Sequence, residues 1–139
     1  MNDLGFIFFA VTVIALGVIL LILLTKNSQN LGLNKQAYQV DWLNIMNSFD
    51  VKNRATYEMA ILNADKLVAR ALKDLKISGE TMGEQMKNAK AKFSNNDGLW
   101  MAHKLRNKIA HETNINLNPR LVQQALAQFK RALKDLGAF

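Results

Sequence analysis

The stretch that decides the fold reads NPRLVQQALAQFKRALKDLG and covers residues 118–137. Its apolar side chains recur every three or four positions, which is the spacing that places them on one face of an α-helix. These side chains belong to Val122, Ala125, Leu126, Phe129, Leu133 and Leu136. Asn118 is a favourable N-cap, and Pro119 follows at the first helical position, where its missing N–H removes no hydrogen bond. The stretch therefore predicts an amphipathic helix that ends at Gly137.

Four further helices are predicted upstream, because the apolar spacing stays helical and no run of alternating β-branched residues suggests a strand. They begin near Asn34, run from about Asp50 to Ile77, open at Thr81, and run from about Leu99 to His111 or Glu112. The residues expected on the core faces of the first three are Tyr38, Trp42, Ile45, Met46, Phe49, Tyr57, Ile61, Ala64, Val68, Leu72, Leu75, Met82, Met86, Ala89 and Phe93. Short connections favour an up-and-down bundle of about five helices. We therefore predict one all-α domain over residues 35–139.

Two boundaries within this bundle are predicted from residue types. Ser78-Gly79 is expected to stop the second helix, because glycine accepts the left-handed conformation needed just past a helix end. Thr81-x-x-Glu84 has the spacing of a capping box, in which each side chain bonds the backbone N–H of the other residue. Residues 113–117 are predicted to form a loop.

The N-terminal segment differs from the rest because Leu4 to Leu24 contains no charged residue. A helix of this length spans roughly 31 Å, which matches the hydrocarbon layer of a bilayer. No basic residue precedes the segment and no small-x-small cleavage site follows it, so a retained helix is favoured over a cleaved signal peptide. The sequence predicts a transmembrane anchor over 1–25 and a linker over 26–34. Because Lys26 and Lys35 follow the segment, the N-terminus is expected outside the cell membrane and the C-terminal domain in the cytoplasm of a single-pass protein.

Composition excludes several classes of protein. The chain of 139 residues has no cysteine, which excludes a disulfide scaffold and a thiolate metal site, and its two histidines disfavour a zinc site. No cofactor or metal is indicated, and the sequence does not identify a cognate protein partner. The net charge of +7 has three interpretations that stay open. The charge could bind RNA phosphates, could face an anionic lipid leaflet, or could form a solvated surface in which Lys66 and Arg70 alternate with Asp65 and Asp74.

The helix predicted over 99–111 separates into two faces at 100° per residue. The face expected to enter the core carries Met101, Ala102, Leu105 and Ile109. The opposite face and its borders carry Trp100, His103, Lys104, Arg106, Asn107 and His111. Both histidines of the chain therefore share one helix face with an amide and, at its edge, a guanidinium. The plain alternative is that Arg106 and His111 interact with carbonyl groups at the helix end, where cations are favoured.

The stretch Arg106-Asn107-Lys108-Ile109-Ala110-His111 resembles the Arg-polar-x-x-x-His signature of HEPN domains, all-helical bundles found in many prokaryotic toxins and defence proteins. The resemblance in architecture covers about residues 35–137, and its specific part is these six residues. In that family the motif lies near the end of a late helix, and two protomers usually pair so that their motifs face a shared cleft. The resemblance implies a metal-independent endoribonuclease or RNA-binding protein that forms a homodimer through the face of His103, Asn107 and His111.

The resemblance also implies roles for single residues. Arg106 would clamp the phosphate, His111 would act as acid and base, and Asn107 would orient the histidine or hold a phosphate oxygen. The residues expected behind this site or in the dimer interface are Trp100, His103 and Lys104. The chemistry suits these residue types, because attack by the RNA 2′-OH needs a base with a pKa near neutrality and a cation that grips phosphate in bidentate fashion. Many members of the family are not nucleases, so a non-catalytic protein–protein interaction domain is the alternative.

Overall fold

A computed structural model describes residues 3–27, 32–112 and 115–139, and within them the regular structure is entirely helical. The six α-helices are α1 (Asp3–Asn27), α2 (Lys35–Ser48), α3 (Tyr57–Asp74), α4 (Met82–Asn88), α5 (Asn96–His111) and α6 (Pro119–Asp135). Two short 3-10 helices precede α3 and follow α4, at Arg54–Thr56 and Lys90–Lys92. The predicted helical bundle is confirmed.

Contacts divide the chain into two compact units, Met1–Leu31 and Gly32–Phe139. Two predictions fall partly outside the described residues. These are the linker over 26–34, at residues 28–31, and the loop over 113–117, at residues 113 and 114.

The first unit contains α1. Among the residues that the structure describes, no helix is long and apolar enough to cross a membrane. This finding corrects the predicted transmembrane anchor over 1–25 with its span over 4–24, together with the membrane partner and the single-pass topology that were derived from it.

The core of the second unit forms around α3, which contacts α2, α5 and α6. All residues predicted for the apolar face of α6 are buried, and Val122, Phe129 and Leu133 have no exposed surface. The predicted face of α3 is buried in the same way from Tyr57 to Leu72. The helical spacing of apolar residues therefore identified the central packing surface correctly.

Two methionines predicted on core faces are instead 38% exposed, Met46 on α2 and Met101 on α5. The helix α2 buries only a narrow stripe, formed by Tyr38, Trp42 and Ile45. Met46 lies one position beyond this stripe and turns towards solvent. Met101 lies at the edge of the face that buries Ala102, where α5 and α6 leave an open cleft.

The start of α3 differs from the prediction, because the helix begins at Tyr57 and not near Asp50. The Asp50 carboxylate accepts a hydrogen bond from the backbone N–H of Lys52 at 2.9 Å. The Asn53 amide oxygen accepts one from the N–H of Ala55 at 3.1 Å. Side chains of Asp and Asn that bond nearby backbone groups in this way favour turns over helix, so the helix starts after them.

The end of α3 also differs, because Lys76 and not Ser78-Gly79 stops the helix. Lys76 has a φ of 54°, in the left-handed region. Its N–H donates to the carbonyl of Lys73 at 2.9 Å, and the N–H of Ile77 donates to the carbonyl of Leu72 at 3.0 Å. These two bonds form a Schellman motif, which satisfies the last carbonyls of the helix. The position just past this helix end is therefore occupied by a residue other than glycine.

Replacing Lys76 with glycine should raise the free energy of unfolding by about 0.5–1 kcal/mol, because glycine adopts the left-handed conformation without the steric penalty of a Cβ. The matched control is Lys73→Gly, which replaces another exposed lysine inside α3. This variant should lower the free energy of unfolding by about 1 kcal/mol. Urea unfolding followed by the helical circular dichroism signal measures both values. Destabilisation of equal size in the two variants would contradict the assigned helix end.

The starts of the last three helices follow local capping rules. The predicted capping box is present, since the Thr81 hydroxyl accepts from the N–H of Glu84 at 3.2 Å and the Glu84 carboxylate accepts in return. The predicted cap of α6 by Asn118 is present as well. The helix α5 begins at Asn96, three positions before the predicted Leu99, because Asn95 caps it by accepting from the N–H of Gly98.

Tyr38 joins α2 to α3 through its ring and its hydroxyl. The hydroxyl donates to the Asp74 carboxylate at 2.7 Å, and the Arg70 guanidinium lies 4.3 Å from the centre of the ring. Burial raises the pKa of Tyr38 to about 12; Arg70 opposes this rise and Asp74 adds to it. The phenol therefore stays neutral in the folded domain at pH values where a free tyrosine ionises.

The stability of the wild type should fall as the pH rises from about 10, where tyrosine in an unfolded chain ionises, to about 12, the folded value of Tyr38. The sign follows because the unfolded state loses this proton first, so alkaline pH favours unfolding. Tyr38→Phe should remove this part of the decline, and urea midpoints of both proteins across that pH range measure the difference. The same decline in both proteins would contradict the role of Tyr38.

Candidate functional site

The site begins with a carboxylate that α3 buries in the contact with α5. The side chain of Asp65 is only 5% exposed, and its Oδ1 lies 2.8 Å from Nδ1 of His103. A buried carboxylate is costly unless it is paired and hydrogen-bonded, so this contact is what allows both groups to be buried. Because a carboxylate only accepts hydrogen bonds, Nδ1 carries the hydrogen in this contact and Nε2 is the remaining ring nitrogen.

Arg106 contacts the other oxygen of the same carboxylate. Its Nε lies 3.2 Å from Oδ2 of Asp65, but the N–H is not aimed at that oxygen, so the contact is an ion pair without a directed hydrogen bond. Its NH1 donates to the amide oxygen of Asn107 at 3.1 Å. The guanidinium is thus held from two sides, and 29% of the side chain stays exposed.

These groups line an open cleft of about 550 Å³ between α3, the start of α4 and α5, which we call the central cleft. Its lining residues are Asp65, Lys66, Ala69, Thr81, Met82, Gly83, Trp100, His103, Lys104, Arg106 and Asn107. Lys66, Lys104 and Arg106 contribute three cations, against the single carboxylate of Asp65. Guanidinium, ammonium and amide groups together are suited to binding the oxygen atoms of a phosphate.

Trp100 adds an aromatic surface to the central cleft. Its ring is half-buried and meets the His103 ring edge-on, with the centroids 6.0 Å apart. The ring also approaches the backbone of α4 so closely that a Cβ added at Gly83 would lie 3.4 Å from the indole. The indole is therefore held in place beside the cations, where a nucleobase could stack on it.

The structure brings together five of the six residues predicted for the site and separates the sixth from them. Trp100, His103, Lys104, Arg106 and Asn107 line the central cleft. His111 does not line it: this residue is exposed at the C-terminal end of α5. Within one protomer, therefore, Arg106 lines the central cleft and His111, at the other end of the motif, does not.

One placement must be corrected. His103 was expected on the face of α5 that points away from the core, but it is buried, with about 9% of its surface exposed. The facing helix supplies the Asp65 carboxylate as its partner, which compensates for the lost hydration of the imidazole.

Two charged residues that line the central cleft were missed from the sequence, Asp65 and Lys66. Asp65 had been counted among charges on a solvated surface. A signal was present, because Asp65 directly follows Ala64 and lies three positions before Val68, within the stripe of α3 that is buried. An acidic residue within an apolar helix face indicates a buried polar partner on a neighbouring element.

In the part of the chain that the structure describes, no three His, Asp or Glu side chains are grouped so that they could hold a metal ion. Comparisons of this chain with protein-family models, with curated proteins and with solved structures found no match. The resemblance to HEPN domains therefore stays a prediction, which rests on residues 106–111 and on the helical architecture.

Proposed function

We propose that the helical domain binds RNA as a homodimer and cleaves it as a metal-independent endoribonuclease at the central cleft. The observation that supports this proposal is the grouping of Lys66, Lys104 and Arg106 around one cleft, with Asn107 and an indole beside them. Such a set can neutralise phosphate charge, hold phosphate oxygens and stack a base.

In the proposed reaction the ribose 2′-OH attacks the adjacent phosphorus and the 5′-oxygen leaves. A base takes the proton of the 2′-OH, and an acid supplies a proton to the leaving oxygen, so the products are a 2′,3′-cyclic phosphate and a 5′-OH. Negative charge builds on the non-bridging oxygens, where Arg106 would stabilise it. Asp65 acts as a positioning residue, because it holds the guanidinium at the edge of the central cleft.

His111 is the acid and base in this proposal, and the homodimer gives it access to the substrate. In its own protomer His111 lies outside the central cleft and is exposed. Pairing of two copies through the exposed part of α5 would bring His111 of one protomer towards the phosphate held by the other. His103 is already engaged with Asp65 and serves the site by fixing that carboxylate.

The test uses purified full-length protein, a labelled single-stranded RNA and excess EDTA. We expect fragments that end in a 2′,3′-cyclic phosphate. His111→Ala should abolish cleavage while it leaves RNA binding within about 3-fold, since its imidazole transfers protons and does not clamp the phosphate. Glu112→Gln, at the exposed neighbouring position, is the matched control and should retain full activity. Cleavage that persists in His111→Ala would contradict the role assigned to His111.

A second candidate function is a non-catalytic interaction domain, and one observation favours it. The Arg106 guanidinium contacts Asp65 and Asn107 of its own chain, so it has a structural role without any ligand. In this case the wild type should cleave no RNA, and Arg106→Ala and His111→Ala should weaken self-association. Sedimentation velocity of the three proteins distinguishes this outcome from the nuclease.

A further inference from the structure

We infer that the central cleft is the middle part of a longer track that binds a single strand of RNA over several nucleotides. This inference rests on the proposed function, because it takes RNA as the ligand. It goes further by adding two clefts that flank the site, and it defines the substrate as an unpaired strand.

The first flanking cleft lies between α2 and α3 and measures about 520 Å³. Lys66 lines both this cleft and the central cleft, so a ligand can pass from one to the other over a single lysine side chain. Polar groups from both helices line it, namely Asp41, Asn44, Ser48, Asn63 and Arg70. Amide and hydroxyl groups of this kind can bond riboses and the edges of unpaired bases.

The second flanking cleft lies between α5 and α6 and measures about 690 Å³. Trp100 and Lys104 line both this cleft and the central cleft. Beyond them its lining includes Lys108 together with the apolar side chains of Met101 and Leu121. Met101 is partly exposed, which the helical pattern did not predict. Its side chain belongs to a surface that offers the cation of Lys108 and apolar contacts side by side.

The charges along the three clefts favour a polyanion. Lys66 and Arg70 are one turn apart on α3, and Lys104 and Lys108 are one turn apart on α5, so cations recur at steps of about 6 Å. Two carboxylates in the track are already paired with arginines. Asp41 lies 2.7 Å from Arg70, and Asp65 lies 3.2 Å from Arg106. A third carboxylate, Asp97 of the second flanking cleft, offsets one lysine. Five cations therefore face three carboxylates along the track, which leaves a net positive surface.

The shape of the track distinguishes a polymer from a small anion. A free phosphate or mononucleotide would be held by one enclosed pocket, whereas these clefts are open and adjoin one another through shared side chains. An unpaired strand also suits Trp100, because a base must leave a duplex stack before it can stack on an indole.

The experiment measures binding of end-labelled, unstructured RNA of 2, 4, 8 and 12 nucleotides to the full-length chain by fluorescence anisotropy at several salt concentrations. The RNA is 2′-O-methylated, so that it cannot be cleaved by attack of its own 2′-OH. Affinity should rise with length beyond two nucleotides. Lys66→Gln and Lys108→Gln should each weaken binding of the 12-mer several-fold and reduce the slope of log affinity against log salt by about 0.7. Lys108→Gln should leave binding of the dinucleotide unchanged, because Lys108 lines only the second flanking cleft, whereas Lys66 also lines the central cleft. Lys87→Gln, an exposed lysine on α4 outside the three clefts, is the matched control.

Two results would overturn the track while the proposed function stands. One is binding of the 12-mer that depends on Arg106 but is no more sensitive to Lys108→Gln than to Lys87→Gln. The other is binding of a blunt RNA duplex as tightly as the single strand. A wild type that binds no RNA at any length would instead reject the proposed function, and the track with it.

Discussion

Arg106→Ala should slow RNA cleavage by about 10²- to 10³-fold, the loss expected when one preorganised donor to a developing oxyanion is removed. The structure gives the physical reason, because Asp65 and Asn107 hold the guanidinium in one orientation at the edge of the central cleft. A group that is already oriented stabilises the transition state without further reorganisation.

Two variants separate this effect from loss of folding. Arg106→Lys keeps a positive charge near Asp65 but loses the planar, bidentate donor set, so it should fold and still lose about 10-fold or more of the activity. Arg131→Ala removes an exposed arginine of α6 that lines none of the three clefts, and it should cleave RNA at the wild-type rate. Single-turnover kinetics with excess protein and EDTA measure the three rates. Equal activity of Arg106→Ala and Arg131→Ala would contradict the proposed role of Arg106 as the phosphate clamp.

Asp65→Ala should lower the free energy of unfolding by about 3–5 kcal/mol, because removing one partner of a buried charged pair leaves the other without compensation. The Asp65 side chain is 5% exposed, and it partners both His103 and Arg106. Its loss would leave the His103 imidazole buried without a hydrogen-bond acceptor and the Arg106 guanidinium without its counter-ion.

Asp41→Ala is the matched control, because it also removes an aspartate that is paired with an arginine. The Asp41–Arg70 pair is 2.7 Å long, but its side chains are 40% and 43% exposed. Exposed ion pairs contribute about 0–1 kcal/mol, so this variant should unfold close to the wild type. Urea denaturation followed by circular dichroism compares the two variants, and equal destabilisation would show that the Asp65 network does not hold α3 to α5.

Local patterns predicted those parts of the fold that depend on neighbouring residues. The apolar face of α6, its cap at Asn118 and the capping box at Thr81 were correct, since each depends on residues within one or two helical turns. The start of α3 was wrong because Asp50 and Asn53 bond nearby backbone groups, which the apolar spacing does not record. The end was wrong because Lys76 adopts a conformation for which glycine had been expected.

The candidate site was predicted less completely because its decisive contact joins distant parts of the chain. Asp65 and His103 are separated by 38 positions, so no pattern within α5 could identify the partner of the histidine. The motif on α5 did locate Arg106 and Asn107. The helical wheel placed His111 with them because it records only the angle of each residue around the helix axis, and not its position along the axis. The central cleft extends only along the part of α5 that faces α3 and α4.

The central claim is that RNA lies in the cleft beside Arg106, and photochemical cross-linking tests it most directly. The full-length protein is irradiated with a single-stranded RNA that contains 4-thiouridine, and mass spectrometry identifies the cross-linked peptides. We expect cross-links in the peptide that contains Trp100 and in the α3 peptide that contains Lys66, and we expect Arg106→Gln to abolish them. Cross-links confined to other surfaces, or unchanged in Arg106→Gln, would contradict the claim.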